Sequence, residues 1–106
     1  MVMRLTPEES RTALQHDEPP KLLDVRTPEE FALAHIEGSI FIPMNEMASR
    51  MHELNPDDRW IVVCHHGYRS MQVAMWLESR GFEWVANLEG GIDRWSLEVD
   101  TQVPRY

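Results

Sequence analysis

The sequence contains a single cysteine, Cys64, among its 106 residues. One thiol can form neither an internal disulfide nor a cysteine-rich metal centre, so Cys64 is either a small core residue or a reactive thiol. The chain also lacks any apolar run of membrane-spanning length, and its first residues lack an apolar segment followed by a cleavage site. These absences predict a cytoplasmic protein without a membrane partner.

Positive charge is also scarce, because ten Lys and Arg residues face eighteen Asp and Glu residues, for a formal net charge of -8. This balance repels polyphosphates, so we expect no nucleic acid partner, although a small anion can bind a local positive site. The hydrophobic content of 42% and the charged content of 26% are ordinary for a globular protein. We expect one domain over residues 1–106, with a core at about 3–97 and a tail at 98–106 that has no regular pattern.

Short apolar runs alternate with helix-start signals along the chain. Strands are expected at 3–5, 21–25, 39–42, 60–64 and 84–88, and helices at about 6–15, 27–34, 45–54, 70–80 and 90–97. The tetrapeptide Thr-Pro-Glu-Glu opens the first two helices, at 6–9 and 27–30, and fits a capping box. Asn45 is expected to cap the third helix. The alternation predicts an α/β domain with about five parallel strands and helices on both faces of the sheet.

The loop after the fourth strand is the candidate active site. Cys64 ends the apolar run that begins at Trp60, and the next helix is expected to begin at Ser70. Ligands of open α/β sheets bind at such strand ends, and unpaired N–H groups in the loop and first helical turn favour an anion. Because the thiolate is the nucleophilic form of cysteine, this location favours a reactive thiol.

Other residues of the loop suggest supporting roles. Gly67 allows the backbone to curl so that successive N–H groups converge, and Ser70 can cap the helix or donate to a bound anion. Arg69 supplies a positive charge if it turns inward, or else it pairs with an acidic neighbour. His65 and His66 either raise the positive potential and shuttle a proton, or are exposed loop side chains.

Asp24 and Arg26 are interpreted as structural support, because a hydrogen-bonded ion pair can fix the neighbouring loop. A metal site made of Cys64, His65 and His66 is not expected, because three consecutive side chains rarely converge on one ion and no other ligand pair is evident.

Four segments, in order over about residues 20–96, make the sequence similar to the rhodanese family. They are Asp24-Val25-Arg26, His35-Ile36-Glu37-Gly38-Ser39-Ile40 with Pro43, Cys64-His65-His66-Gly67-Tyr68-Arg69-Ser70, and Leu88-Glu89-Gly90-Gly91 with Trp95. The resemblance implies a rhodanese-like three-layer sandwich. It also implies an active-site loop at residues 64–70.

The resemblance implies a sulfurtransferase that needs no cofactor. In the family the cysteine thiolate, here Cys64, takes the outer sulfur of an anionic donor such as thiosulfate and holds it as a persulfide. Cyanide or a thiol then removes this sulfur. Two-step covalent catalysis of this kind agrees with loop N–H groups that stabilise the charged terminal sulfur.

Two alternatives stay open. The first alternative is a phosphatase or an arsenate reductase. Related enzymes of these kinds place six residue steps between cysteine and arginine, whereas Cys64 and Arg69 are five steps apart. The second alternative is a non-catalytic sulfur carrier or docking module that accepts sulfur from a protein persulfide partner. The enzyme interpretation requires that the sulfur is not sealed in the interior and that loop amides point toward it.

Overall fold

The computed structural model describes residues 1–106 and contains five strands and five α-helices. The strands are β1 (Met3–Leu5), β2 (Lys21–Asp24), β3 (Ile40–Phe41), β4 (Arg59–Val63) and β5 (Trp84–Leu88). The helices are α1 (Pro7–Leu14), α2 (Pro28–Leu33), α3 (Met47–Arg50), α4 (Tyr68–Ser79) and α5 (Gly91–Glu98). Turns of 3-10 helix at Met44–Glu46 and Met51–Glu53 flank α3.

The strands form one sheet in the order β1-β5-β4-β2-β3, and every neighbouring pair is parallel. The central strand β4 is apolar on both faces because helices cover both faces of a parallel sheet. Its side chains alternate between two core clusters: Trp60 and Val62 pack with α4, and Ile61 and Val63 pack with α5. The prediction of a three-layer α/β fold with five parallel strands is therefore confirmed.

The two repeated tetrapeptides open α1 and α2 as predicted. At each start the threonine side chain accepts from the amide of the glutamate three residues later, and that carboxylate accepts from the threonine amide. Such a capping box satisfies two otherwise unpaired N–H groups. No helix has the length and apolar character needed to cross a membrane.

Two predicted helix starts are wrong. Asn45 caps no helix, because it lies within a 3-10 turn and makes no side-chain cap hydrogen bond. The predicted helix over 45–54 is instead three short helical turns between Met44 and Glu53. Helix α4 begins at Tyr68 rather than at Ser70, because Gly67 takes a left-handed conformation that ends the loop there. The remaining predicted elements exist, with ends that differ by at most one residue.

Candidate active site

Cys64 directly follows β4, at the carboxyl edge of the parallel sheet. Its side chain continues the face of Trp60 and Val62, so it joins the core cluster beneath α4. The residue exposes 1% of its surface. The sulfur is therefore far less accessible than the sequence interpretation requires.

Gly67 brings the loop back to the sulfur. Its φ of +100° lies in the left-handed region, where a residue with a Cβ is strained. A Cβ at this position would also lie 3.2 Å from the backbone nitrogen of Gly90. In this conformation the Gly67 amide donates to Sγ of Cys64 over 3.1 Å. One loop amide is thus directed at the sulfur, as the interpretation requires.

The other amides of the loop have no acceptor within the protein. The carbonyls of Cys64 and His65 accept from the first-turn amides of α5, Ile92 at 2.9 Å and Asp93 at 3.2 Å. By contrast, the N–H groups of residues 65, 66, 68, 69 and 70 donate to no backbone carbonyl and no side chain. Successive unpaired N–H groups at a helix start are a favourable environment for an anion.

Gly91 allows α5 to approach the loop this closely. A Cβ on Gly91 would lie 2.3 Å from the carbonyl oxygen of His65. This distance is shorter than a Cβ atom can approach a backbone oxygen without a clash. The two hydrogen bonds to the loop carbonyls therefore depend on a residue without a side chain at this position.

Ser70 contacts the sulfur from the first turn of α4 rather than capping that helix. Its hydroxyl lies 3.2 Å from Sγ of Cys64 and also donates a short hydrogen bond to Oδ1 of Asn87. Asn87 in turn donates to the Gly67 carbonyl over 3.1 Å and to Glu89. Sequence reasoning missed Asn87, although an amide inside the apolar strand β5 was a signal that it fixes a neighbouring loop.

Arg69 pairs with an acidic neighbour instead of standing free beside the sulfur. It donates to both carboxylate oxygens of Glu30, over 2.6 and 2.9 Å. This bidentate contact holds the pKa of Glu30 far below its usual range and raises the pKa of Arg69. Of the two alternatives for Arg69, the structure contains the ion pair.

Asp24 and Arg26 form a buried ion pair at the end of β2. The guanidinium donates to both oxygens of Asp24, at distances between 2.7 and 3.1 Å, and to the carbonyl of Ala34. The two side chains expose 1% and 0% of their surface. Because a buried charge is tolerated only when it is paired and hydrogen-bonded, this pair is structural support for the loop that follows β2.

The tail returns to the loop at residues 64–70, which no sequence pattern indicated. The Tyr106 ring stacks on the His65 ring with a centroid distance of 4.0 Å, and the His66 ring also stacks on the His65 ring, at 3.9 Å. The Tyr106 hydroxyl donates to Glu30 over 2.7 Å and accepts from Arg26 over 2.8 Å. Burial raises the pKa of Tyr106 to about 12.

The two histidines differ in environment. Burial lowers the pKa of His65, and the neighbouring His66 lowers it further, so His65 is neutral at pH 7. His66 is exposed, and Tyr68 beyond it exposes 81% of its surface. Tyr68 makes no hydrogen bond to the sulfur.

Ring nitrogens of His65 and His66 and a carboxylate oxygen of Asp93 lie within 4.8 Å of one another. However, the Asp93 carboxylate already accepts from Arg105 over 2.9 Å, and the two imidazole rings are stacked. These features do not fit a metal centre, and we assign no ion to this cluster.

A family model described as Rhodanese-like domain matches residues 6–98. The putative sulfurtransferase YtwF of Bacillus subtilis (strain 168) is 36% identical over 86 residues, which cover 81% of this chain and 82% of that protein. The putative sulfur carrier protein YrkF of the same organism is 36% identical over 93 residues, 88% of this chain and 50% of that protein.

Among solved structures, the rhodanese-like domain protein from Staphylococcus aureus is similar with a TM-score of 0.86 and 30% identity, over 99% of each chain. The chain spans half the length of YrkF and 30% of the length of another curated relative, from Arabidopsis thaliana.

Proposed function

Because this chain belongs to the rhodanese-like domain family, we propose that it is a sulfurtransferase that carries sulfur as a persulfide on Cys64. The observation that carries the proposal is the Gly67 amide bonded to Sγ over 3.1 Å, within a run of amides that have no other acceptor. These N–H groups stabilise the thiolate before transfer and the negatively charged terminal sulfur afterwards.

In the first step the Cys64 thiolate attacks the outer sulfur of a sulfane-sulfur donor. The new S–S bond forms as the donor's own S–S bond breaks, and its electron pair leaves with the remainder of the donor. Thiosulfate releases sulfite, and a hydropersulfide R–S–SH releases the thiol R–SH, with the proton retained on the product. Either donor leaves Cys64 as a persulfide anion, so the step needs no added oxidant or reductant.

In the second step a thiol or cyanide attacks the outer persulfide sulfur. The Cys64 thiolate is the leaving group, and it returns to its contacts with Gly67 and Ser70 at 3.1 and 3.2 Å. The acceptor carries the sulfur away as a persulfide or as thiocyanate. Since Cys64 exposes 1% of its surface, each step requires the loop to move aside briefly.

The names of the relatives support sulfur transfer, and one of them supports the carrier alternative. YtwF is named a putative sulfurtransferase, and YrkF is named a putative sulfur carrier protein. A carrier would use the same cysteine but would take sulfur only from a protein persulfide. The five steps between Cys64 and Arg69 disfavour a phosphatase, whose loop is one residue longer.

Mass spectrometry of the intact protein after incubation with thiosulfate tests the proposal. We expect the mass to increase by one sulfur atom, the added sulfur to leave when cyanide is supplied, and neither change to occur in C64S. A protein that gains sulfur only from a protein persulfide would support the carrier function. Hydrolysis of an aryl phosphate without any gain of sulfur would overturn sulfur transfer in favour of a phosphatase.

A further inference from the structure

We propose that Glu30 determines the class of sulfur donor, by neutralising Arg69 so that the site disfavours the dianion thiosulfate and favours hydropersulfides of low charge. This inference rests on the proposed function. Glu30 lies on α2, outside the active-site loop, and acts through Arg69 as a positioning and specificity residue.

Glu30 is fixed in place by several donors. Arg69 binds both of its oxygens, at 2.6 and 2.9 Å, and the Tyr106 hydroxyl donates to Oε2 over 2.7 Å. The Thr27 amide and hydroxyl donate to Oε1, each over 3.2 Å. A carboxylate with this many donors does not swing away when a substrate arrives, and the Arg69 guanidinium stays committed to it.

The other arginines near the loop are paired as well. Arg26 is bonded to Asp24 in the buried ion pair, and Arg105 is bonded to Asp93 over 2.9 Å. The neighbouring His65 carries no charge at neutral pH because burial lowers its pKa. The loop therefore offers backbone N–H groups to a donor, but no unpaired arginine.

The two donor classes differ in the charge that such a site must stabilise. Thiosulfate carries two negative charges, and sulfite also leaves with two. A hydropersulfide carries at most one negative charge. After its outer sulfur is transferred, the remainder leaves as a neutral thiol. Since the whole chain has a formal net charge of -8, a dianion is repelled at long range and finds no free cation at the site.

An open groove beside Arg69 provides a matched control position. The groove has a volume of about 660 Å³, and Glu29 and Arg69 both line it. Glu29 precedes Glu30 on the same helix, but it makes no hydrogen bond or salt bridge with Arg69. E29Q thus removes one negative charge from the groove and leaves the Arg69–Glu30 pair intact.

The experiment compares sulfur loading of Cys64 from thiosulfate and from the hydropersulfide of 2-mercaptoethanol, in wild type, E30Q and E29Q. Glutamine can replace glutamate in a capping box, so E30Q retains the start of α2. We expect E30Q to raise the ratio of thiosulfate to hydropersulfide loading about tenfold, which corresponds to about 1.4 kcal/mol. E29Q should change this ratio by less than about twofold.

Two further measurements separate charge from folding. E30D keeps the negative charge beside Arg69, so its donor ratio should stay close to that of wild type. In wild type, thiosulfate loading should stay constant or rise when ionic strength increases from about 0.05 M to about 0.5 M, because salt screens the repulsion. In E30Q the same loading should fall, because salt screens the freed guanidinium.

Equal donor ratios in E30Q and E29Q, or a shift in E30D as large as in E30Q, would overturn the role of Glu30. A steep loss of wild-type thiosulfate loading with salt would also overturn it, since that result requires a free positive charge. If Cys64 gains sulfur from neither donor in any variant, the proposed sulfurtransferase activity with small donors is wrong and only the carrier alternative remains. The two failures are therefore distinguishable.

Discussion

The backbone amide of Gly67 donates a hydrogen bond to the sulfur of Cys64 over 3.1 Å. The two positions are three apart in the sequence, and the chain turns back toward the sulfur where Gly67 adopts a φ of +100°. A donor on the main chain cannot be removed by replacing a side chain. Its position can be disturbed, however, by changing the one residue whose conformation creates it.

We therefore expect G67A to impair sulfur loading. A Cβ here adds strain of about 1–2 kcal/mol from the left-handed backbone, together with a contact at 3.2 Å to the nitrogen of Gly90. The loop must shift, and the loading rate measured by intact mass should fall at least about tenfold, as when one donor to a developing anion is lost.

G81A is the matched control for this substitution. Gly81 has a similar φ of +96°, but a Cβ there meets no atom within 4 Å. It should lose stability from backbone strain and still load sulfur at the wild-type rate. If both alanine variants load equally well, the geometry of the Gly67 amide has no part in the reaction.

Ser70 connects the sulfur to Asn87, and S70A should cost both stability and loading rate. The substitution removes the hydroxyl that lies 3.2 Å from Sγ and leaves the buried Asn87 carbonyl oxygen without this donor. An unsatisfied buried polar group costs about 1–3 kcal/mol. Denaturant unfolding should measure this loss, and intact mass should record slower loading.

Ser96 provides the comparison, because its hydroxyl is buried without a hydrogen-bond partner. S96A removes this unpaired hydroxyl and should therefore leave the unfolding free energy unchanged or raise it. Equal losses for S70A and S96A would contradict a specific role for the Ser70–Asn87 contact.

The stability of the protein should decrease below the ordinary histidine pKa, in part because of His65. Burial lowers the pKa of His65 from its model-peptide value of 6.5, and Glu30 and Asp93 offset only part of this shift. As the pH falls below 6.5, the unfolded chain binds a proton that the folded protein does not. The free energy of unfolding thus falls as the pH drops toward the folded pKa.

H65F removes this titration and keeps an aromatic ring between His66 and Tyr106. Between pH 7.5 and pH 5.5, wild type should lose more unfolding free energy than H65F, as measured by urea unfolding at each pH. The same loss in the two proteins would mean that His65 protonates as readily in the folded state as in the unfolded chain.

The sequence predicted the parallel sheet, the alternation of strands and helices, and a loop between Cys64 and the fourth helix, because each depends on local patterns. The β-branched run before Cys64 and the capping boxes at Thr6 and Thr27 are signals of this kind. The start of α4 was missed by two residues, since Gly67 was interpreted as a loop residue rather than as the N-cap.

Partners of the active-site residues could not be predicted, because they are distant in the sequence. Arg69 meets Glu30, 39 positions away, and Glu30 meets Tyr106, 76 positions away. The spacing of residues in the sequence does not indicate which distant side chains come into contact. The interpretation of Arg69 as an anion-binding residue considered the loop alone, whereas its charge is balanced by a side chain from another helix.

Tyr106 provides the last test of this network, because its hydroxyl joins Arg26 to Glu30 at 2.8 and 2.7 Å. Y106F keeps the ring that stacks on His65 and removes both hydrogen bonds. We expect a loss of about 1 kcal/mol in denaturant unfolding. The donor ratio should stay within about twofold of the wild-type ratio, because Glu30 keeps its charge and its bidentate contact with Arg69.

Comparing the donor ratios of Y106F and E30Q separates the effect of the Tyr106 hydroxyl from the effect of the Glu30 charge. A shift smaller than that of E30Q means that the charge of Glu30 sets the donor class and that Tyr106 only restrains its position. A shift as large as that of E30Q would instead assign the effect to the hydroxyl itself. Because Arg69 keeps its bidentate contact with Glu30 in Y106F, the rate of sulfur loading from the hydropersulfide should stay at the wild-type value. A lower loading rate from both donors would instead mean that Tyr106 supports the structure of the whole loop.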